Sequence, residues 1–246
     1  MIDLHCHILP GVDDGADCLA TSLNMARMAW AQGTDLIVAT PHCCRPDQSQ
    51  RLSPAALADR LEALNRALRD DGSRLKVLPG MEVFATPELP TLLDRGELAS
   101  LAGSRYLLVE FFFPEAVDFM EFTFSTVVEH GLVPVVAHPE RYAAVQANPE
   151  LAADWFRRGV IVQLNKGSVL GQLGSGAKKT AWWLLRHGFA HVIASDAHTA
   201  FFRNSGLAHV RETVSNELSW RYAQILLEEN PRCIVQDLQV IPVEEG

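Results

Sequence analysis

Two histidines one residue apart open this chain, in Ile2-Asp3-Leu4-His5-Cys6-His7. On an extended strand they point the same way, because side chains alternate with period two. Two imidazoles so placed can grip one cation. The spacing returns near the far end of the chain in Ser195-Asp196-Ala197-His198, now with a hard carboxylate oxygen first. Between the two pairs lie Asp13 and Asp14 ahead of Gly15, His42 after Pro41, and His138 before Pro139. Glu82 and Glu110 sit in apolar stretches, Gly80-Met81-Glu82-Val83-Phe84 and Leu107-Leu108-Val109-Glu110-Phe111. A buried carboxylate without a partner is costly, so each needs a cation or strong donors. Taken singly, these residues have plainer readings: half-buried strand histidines, a solvated turn, structural salt bridges. Taken together, His5, His7, Asp14, His42, Glu82, Glu110, His138, Asp196 and His198 form a candidate ligand set of imidazole and carboxylate without thiolate. That chemistry suits Mn²⁺, Fe or Zn²⁺ in a working site and not a structural zinc. The set exceeds what one ion needs, which points to a cluster of two or three ions. A cluster can generate hydroxide near neutral pH and clamp both oxygens of an in-line phosphoryl displacement. Arg141, three residues after His138, and Arg203, five after His198, are placed to take a phosphate in forked geometry. Lys166 and Ser168, in Asn165-Lys166-Gly167-Ser168, are further candidate substrate contacts.

The elements that must position these residues alternate along the chain. Apolar, β-branched runs predict strands over 2–5, 36–39, 76–78, 106–109, 133–137, 161–164 and 192–194. Helical spacing fills the intervals: around Leu19, Leu23 and Met28, then over 54–69, 119–130, 151–158 and 177–187. Pro54 after Ser53 makes a helix start, and Gly131, Gly159 and Gly188 stand where C-terminal glycines belong. The strands are apolar at consecutive positions, as parallel strands covered on both faces should be. A doubly wound sheet would alternate in the same way, so periodicity does not choose between sheet and barrel. The polar residues do. Nearly every predicted strand delivers one just past its carboxyl end: His5 and His7, His42, Glu82, Glu110, His138, Asn165, and Asp196 with His198. A parallel barrel converges those ends on one face, whereas an open sheet spreads them along an edge. The expectation is a single α/β domain over residues 1–246, a distorted barrel of about seven strand–helix units.

Bulk properties exclude several classes. A formal charge of −9 argues against a nucleic-acid groove, which needs a basic stripe to neutralise phosphates. Bound cations would invert the local field of so acidic a chain and let it handle phosphate. The apolar runs, such as 132–137, are far too short to span a bilayer. The first residues carry no basic and apolar leader pattern, so a cytoplasmic location is the default expectation. The five cysteines include no CxxC pair, and none is followed six positions later by arginine. The thiolate-and-phosphate-loop arrangement of cysteine-dependent phosphatases is therefore absent.

The stretches MIDLHCHILPGVDDGA, IVATPH, LPGMEV, LVEF, VVAHPERY, QLNKGS and IASDAH, in this order, resemble the polymerase-and-histidinol-phosphatase (PHP) superfamily. Within it they are similar to bacterial manganese-dependent protein-tyrosine phosphatases associated with capsular and exopolysaccharide synthesis. The resemblance implies a distorted (β/α)7 TIM-like barrel of PHP type with a trinuclear Mn²⁺ site. By motif, one ion would take His5, His7, Glu82 and Asp196, and a second would share Glu82 and add Glu110 and His138. A third would use Asp14, with Asp13 the alternative, together with His42 and His198. Arg141 and Arg203 match the phosphate-binding arginines. One departure is visible: Cys43 and Cys44 stand where many members continue with another histidine. The expected reaction is attack of a metal-bridging hydroxide on phosphotyrosine, with His198 or a metal assisting the leaving phenolate. The expected partner is an autophosphorylating bacterial tyrosine kinase. A histidinol-phosphate-type small-molecule phosphatase would use the same cage, and a non-catalytic metal-binding adaptor is the non-enzymatic alternative. An amidohydrolase also begins with HxH but needs a carboxylated lysine where this chain has Glu110.

Overall fold

The structure, a computed structural model, describes residues 1–46 and 52–241. Nine parallel strands run through it: β1 (Ile2–Cys6), β2 (Leu36–Ala39), β3 (His42–Cys43), β4 (Lys76–Pro79), β5 (Glu82–Phe84), β6 (Tyr106–Glu110), β7 (Val133–Ala137), β8 (Ile161–Asn165) and β9 (Val192–Ala194). They form a three-stranded sheet in the order β1-β2-β4 and a six-stranded sheet in the order β3-β5-β6-β7-β8-β9. All seven expected strands are present, and β3 and β5 are additional. Each addition continues an expected strand past a kink, at Thr40-Pro41 after β2 and at Gly80-Met81 after β4. Proline cannot donate to a ladder, and it breaks the strand there. At Gly80 a Cβ would lie 2.8 Å from Val38 Cγ1, so only glycine lets the two kinked chains pack this closely.

The sheets meet at two seams. At one, β2 and β4 run on as β3 and β5, tied by Thr40 N–H to Cys6 O (3.0 Å) and Glu82 N–H to Pro41 O (3.1 Å). At the other, β1 joins the segment after β9 through His7 N–H to Ala197 O and Asp196 N–H to His5 O, both 2.8 Å. The fold is thus an α/β arrangement of parallel sheets.

Burial on both faces follows the period of the strands. Tyr106 and Leu108 of β6, Val135 and Ala137 of β7 and Ile161 of β8 pack with Ile2, Leu4 and Val38 in one apolar cluster. The alternate residues Leu107, Val109, Val136, Val162 and Leu164 belong to the larger cluster, which also holds helix residues. On β6 the face that carries Tyr106 and Leu108 ends in Glu110, and on β8 the face that carries Ile161 goes on to Gln163 and Asn165. One side of each strand is therefore apolar near its start and polar near its carboxyl end, the gradient that a site built on strand termini requires.

The expected helices appear at Leu19–Ala31, Pro54–Asp70, Val117–Glu129, Glu150–Arg157 and Ser175–Arg186. The second begins with Ser53 Oγ accepting from Ala56 N–H at 3.2 Å, and its Leu57, Leu61, Leu64 and Leu68 make the buried stripe. Helices at Leu89–Asp94, Ala208–Glu217, Trp220–Gln224 and Asn230–Val235, with a π-helical turn at Ile225–Glu229, were not expected. No helix of the described residues is long and apolar enough to cross a membrane.

Candidate metal centre

All nine candidate ligands meet at the carboxyl ends of the strands. Glu82, fully buried at the start of β5, is the hub. Its Oε1 lies 3.2 Å from His5 Nε2 and 3.1 Å from His138 Nε2. Its Oε2 lies 3.3 Å from His7 Nε2 and 2.8 Å from His42 Nδ1. Glu110 flanks two of these rings, 3.7 Å from His138 and 3.6 Å from His42. Asp14 Oδ1 is 3.3 Å from both His42 Nε2 and His198 Nε2. Asp196 Oδ1 stands 3.5–3.6 Å from His5, His7 and His198.

Three sets of donor atoms close to within 4.8 Å: His7, Asp14, His42 and His198; His5, His7 and Asp196; and His42, Glu82 and Glu110. His7 thus joins the Asp14 group as well as the His5 group. No cysteine enters any of the three. Cys43 and Cys44, with their sulfurs 3.2 Å apart, adjoin His42 in the chain but not in the donor sets.

Local backbone explains how the ligands are aimed. His138 and Asp196, each the first or second residue past a strand, adopt φ of 35° and 49°. This left-handed region is strained for non-glycine residues and is tolerated where surroundings enforce it. Around Asp196 the enforcement comes from Asp3, whose carboxylate accepts from Ser195 N–H (2.9 Å) and from the Ser195 hydroxyl, while Ser195 Oγ accepts from Ala197 N–H (3.1 Å). The loop carrying Asp13 and Asp14 folds back on His7, whose carbonyl accepts from Ala16 N–H at 3.0 Å. A Cβ on Gly15 would fall 2.2 Å from that carbonyl, which fixes glycine in the DDG motif.

The orientation of the rings tests whether cations fit. His7 Nδ1 lies 2.7 Å from Asp13 Oδ2, and His5 Nδ1 lies 2.9 Å from Gln163 Oε1. The Gln163 amide is set by its own N–H to Leu164 O (2.8 Å), so its oxygen is the atom facing His5. Both Nδ1 atoms therefore donate, and in the neutral rings both Nε2 atoms carry lone pairs. Those two nitrogens face each other at 3.2 Å and also face carboxylate oxygens. Lone pairs so opposed need a proton or a cation between them. Glu110 Oε2 adds a buried atom without a hydrogen bond. Five imidazoles and four carboxylates converging in this way fit divalent ions, and the partners behind them, Asp13 and Gln163, are the outer contacts that metal-ligating histidines need.

Protons occupy the place of the cations when no ion is bound. Burial pushes His5 and His42 down, but the Glu82 carboxylate, helped by Asp196 at His5 and by Asp14 at His42, outweighs it and raises them to about 9 and about 11. Burial and the neighbouring Glu82 raise Glu110 to about 7. Hydrogen bonds from His198 and His42 hold Asp14 well below the usual carboxylate range. Burial takes His138 to about 4, so it is already neutral. An incoming divalent ion must displace the protons held on His5 and His42 at neutral pH. Metal affinity is then expected to rise as pH increases from 6 to 8. Calorimetry in two buffers of different ionisation heat would show net proton release per ion, and net uptake would contradict this protonation pattern.

Both arginines lie beside the cage. Arg203 reaches Asp196 Oδ2 at 2.8 Å and Arg141 reaches the same oxygen at 3.4 Å, while Asn165 Nδ2 donates to it at 2.6 Å. The Asp196 carboxylate is thus divided, one oxygen toward the histidines and the other toward two guanidinium groups. Arg141 also stacks over the Phe113 ring at 4.4 Å. Lys166 is placed differently from its expected substrate contact. Its buried ammonium donates to Asn204 O, to Asn204 Oδ1 at 2.9 Å and to Gly206 O at 2.9 Å, anchoring the turn that presents Arg203. Ser168 is fully buried.

Asp13, the alternative to Asp14 in the sequence reading, lies behind the cage and orients His7. Three further contributors escaped that reading. Gln163 orients His5, and its place two residues before Asn165 on the inward face of β8 was the available signal. Asp3 and Phe113 leave no sequence signature that separates them from core residues.

A family described as capsular polysaccharide synthesis, CpsB/CapC, matches residues 1–236 of this chain. Tyrosine-protein phosphatase YwqE of Bacillus subtilis is 38% identical over 204 residues, covering 83% of this chain and 80% of that protein. Tyrosine-protein phosphatase CpsB of Streptococcus pneumoniae is 27% identical over 242 residues, covering 96% and 99%. Crystal structures of YwqE and CpsB, described as unique metal-dependent tyrosine phosphatases, include a chain that superposes with a TM-score of 0.92 at 33% identity, covering 99% of this chain and 100% of that one.

Proposed function

The chain belongs to the CpsB/CapC capsular polysaccharide synthesis family, and on that premise we propose that it is a metal-dependent phosphatase acting on phosphotyrosine in proteins. The observation that carries this reading is the divided Asp196 carboxylate, which sets two phosphate-binding guanidinium groups against a cage of nine cation donors. In this reading the two sheets act as one distorted (β/α)7 barrel in a single domain. His5, His7, Glu82 and Asp196 would hold one ion, Glu82, Glu110 and His138 a second, and Asp14, His42 and His198 a third. His7 lies close enough to the last group to be shared with it. Mn²⁺ is the first choice for such imidazole and carboxylate donors, with Fe and Zn²⁺ as alternatives. Bound there, the ions would supply a nucleophile from water near neutral pH and neutralise charge on the phosphoryl group.

The chain's own side chains do the rest. Arg141 and Arg203 leave Asp196 Oδ2 for the equatorial phosphate oxygens, holding the phosphorus in line for displacement. Phe113 supports the Arg141 guanidinium, which lies over its ring beside the cage. Burial and the adjacent His7 lower the His198 imidazole below its ordinary value, so it enters as a lone-pair donor. Little general-acid help is needed, because a phenol of pKa about 10 leaves more readily than an alkyl alcohol. The substrate on this reading is the product of an autophosphorylating tyrosine kinase. Because such a kinase draws on cytoplasmic ATP, we place the reaction in the cytoplasm.

The test is a metal-titrated assay on a phosphotyrosine peptide beside phosphoserine peptide and histidinol phosphate. Chelation should abolish turnover and Mn²⁺ should restore it best, with the phosphotyrosine peptide giving the highest kcat/KM. Alkylation of the cysteines should leave most activity intact. A higher kcat/KM on histidinol phosphate would make this a small-molecule phosphatase, and no turnover with any metal would make it a binding module.

A further inference from the structure

We propose that the cleft beside Arg203 is a subsite that receives an apolar side chain from a residue flanking the phosphotyrosine, so that the enzyme reads its polypeptide substrate beyond the phosphate. This rests on the phosphotyrosine reading and adds sequence preference to it. The cleft has a volume of about 290 Å³ and lies between the segment after β8 and the turn carrying Arg203. It is continuous with the catalytic centre, because Asn165 and Arg203, which share the outer oxygen of Asp196, also line the cleft. A substrate whose phosphate is held by Arg203 must lay neighbouring residues across this opening.

The lining dictates the chemistry of the occupant. Its polar groups are already engaged within the fold. Lys166 donates to Asn204 and Gly206, the Asn165 amide is held between Asp196 and Gly167 N–H, and Asn204 Nδ2 donates to Phe201 O at 2.8 Å. Arg203 is committed to Asp196 and, during turnover, to phosphate. What remains for a ligand is Leu173, Phe201 and Phe202, with the Gln172 amide at the edge. A charged side chain finds no free hydrogen-bond donor there, because the Lys166 ammonium already spends its protons on Asn204 and Gly206, and an apolar one finds a wall.

The two phenylalanines strengthen the inference. Phe201 is 81% and Phe202 93% exposed, adjacent in sequence and on a fixed turn. That turn is pinned by Lys166, by His198 N–H to Arg203 O at 2.8 Å and by Thr199 N–H to the same oxygen at 3.1 Å. Two large apolar groups held out to water beside a catalytic arginine mark a contact surface, since neither contributes to the core. The size of the cleft, at the low end for ligand pockets, suits one side chain and excludes a folded element.

The experiment uses full-length, metal-loaded enzyme and phosphotyrosine peptides with a glycine–serine background. A single leucine, or a single glutamate, is placed at each position from two before to two after the phosphotyrosine. In the wild type, leucine at one of these positions is expected to raise kcat/KM about tenfold over glycine, the discrimination that burying one aliphatic side chain gives. Glutamate there should give no gain. In the double variant Phe201→Ser, Phe202→Ser, whose two positions are exposed and outside the core, the leucine-to-glycine ratio should fall to near one. Leu173→Gln should lower the same ratio, and because the ratio is taken within one enzyme, changes in metal loading cancel from it. A flat wild-type profile with good turnover, a gain for glutamate instead, or a leucine preference that survives in the double variant would overturn the subsite alone. No turnover on any phosphotyrosine peptide would overturn the underlying reading and the subsite with it.

Discussion

Glu82→Ala is expected to leave a chain that no longer holds its full complement of ions and turns over at close to background. Among the described residues Glu82 is the one carboxylate that touches four imidazoles, those of His5, His7, His42 and His138. Without it the His5 and His138 group and the His42 and Glu110 group lose the oxygen pair between them, and nothing keeps two ions at a fixed separation. Loss of outer contacts to metal ligands already costs 10–100-fold, so removing the shared ligand itself should cost about 10³-fold or more in kcat. The substitution also leaves imidazolium groups buried without their counter-charge, a change that destabilises folded proteins. Glu82→Gln keeps the shape of the side chain and removes only its charge, and so separates the two effects. Elemental analysis of the purified variants beside their kinetics checks the expectation. Full metal occupancy with a near-normal rate in either variant would remove Glu82 from the centre.

Arg203→Ala should do the opposite: keep the metals and lose catalysis. In the structure Asp196 Oδ2 retains Asn165 Nδ2 at 2.6 Å and Arg141 at 3.4 Å when Arg203 is removed, so its inward oxygen stays aimed at the histidines. The substrate, in contrast, loses one of its two forked contacts. The expected fall in kcat/KM is about 10²-fold, or roughly 2.7 kcal/mol of transition-state stabilisation. If the contact tightens as the phosphoryl group transfers, the loss appears in kcat, and if it acts equally on bound substrate it appears in KM. Arg203→Lys should recover part of the loss, because a point charge cannot reproduce a two-pronged contact. Wild-type kcat/KM in Arg203→Ala would make Arg203 a surface residue, and loss of metal would make its role structural.

The seven main strands were legible in the sequence because strands covered on both faces are written as unbroken apolar runs. The cage was legible because most of these runs are followed within a few residues by an imidazole or a carboxylate, and parallel strands leave those residues little choice but to converge. What was hidden depends on direction. Pro41 and Gly80 announce breaks in β2 and β4, but the chain resuming as a strand in a different sheet depends on how Val38 packs against Gly80. The sharing of His7 between two donor groups was equally out of reach, since it comes from the loop that folds Asp13 and Asp14 back over His7. Lys166 shows the same limit from the other side. A lysine in a strand-end motif reads as a ligand contact, and only burial beside Asn204 and Gly206 reveals that its ammonium holds a turn. The helices after residue 207 carry short, interrupted apolar patterns, including a π-helical turn, that periodicity does not resolve.

The seam between β1 and the segment after β9 has a consequence for how the protein is made. Ser195 N–H bonds to Asp3, 192 positions away in the chain, and Asp196 N–H bonds to His5 O. His5 and His7 are synthesised about 190 residues ahead of Asp196, His198 and Arg203. Contacts this distant in sequence form late and slowly. A chain translated only through β8 would present His5 and His7 without the Asp196 carboxylate that stands beside both. The cage draws its donors from both sides of this seam, so it cannot be complete until the segment after β9 has paired with β1.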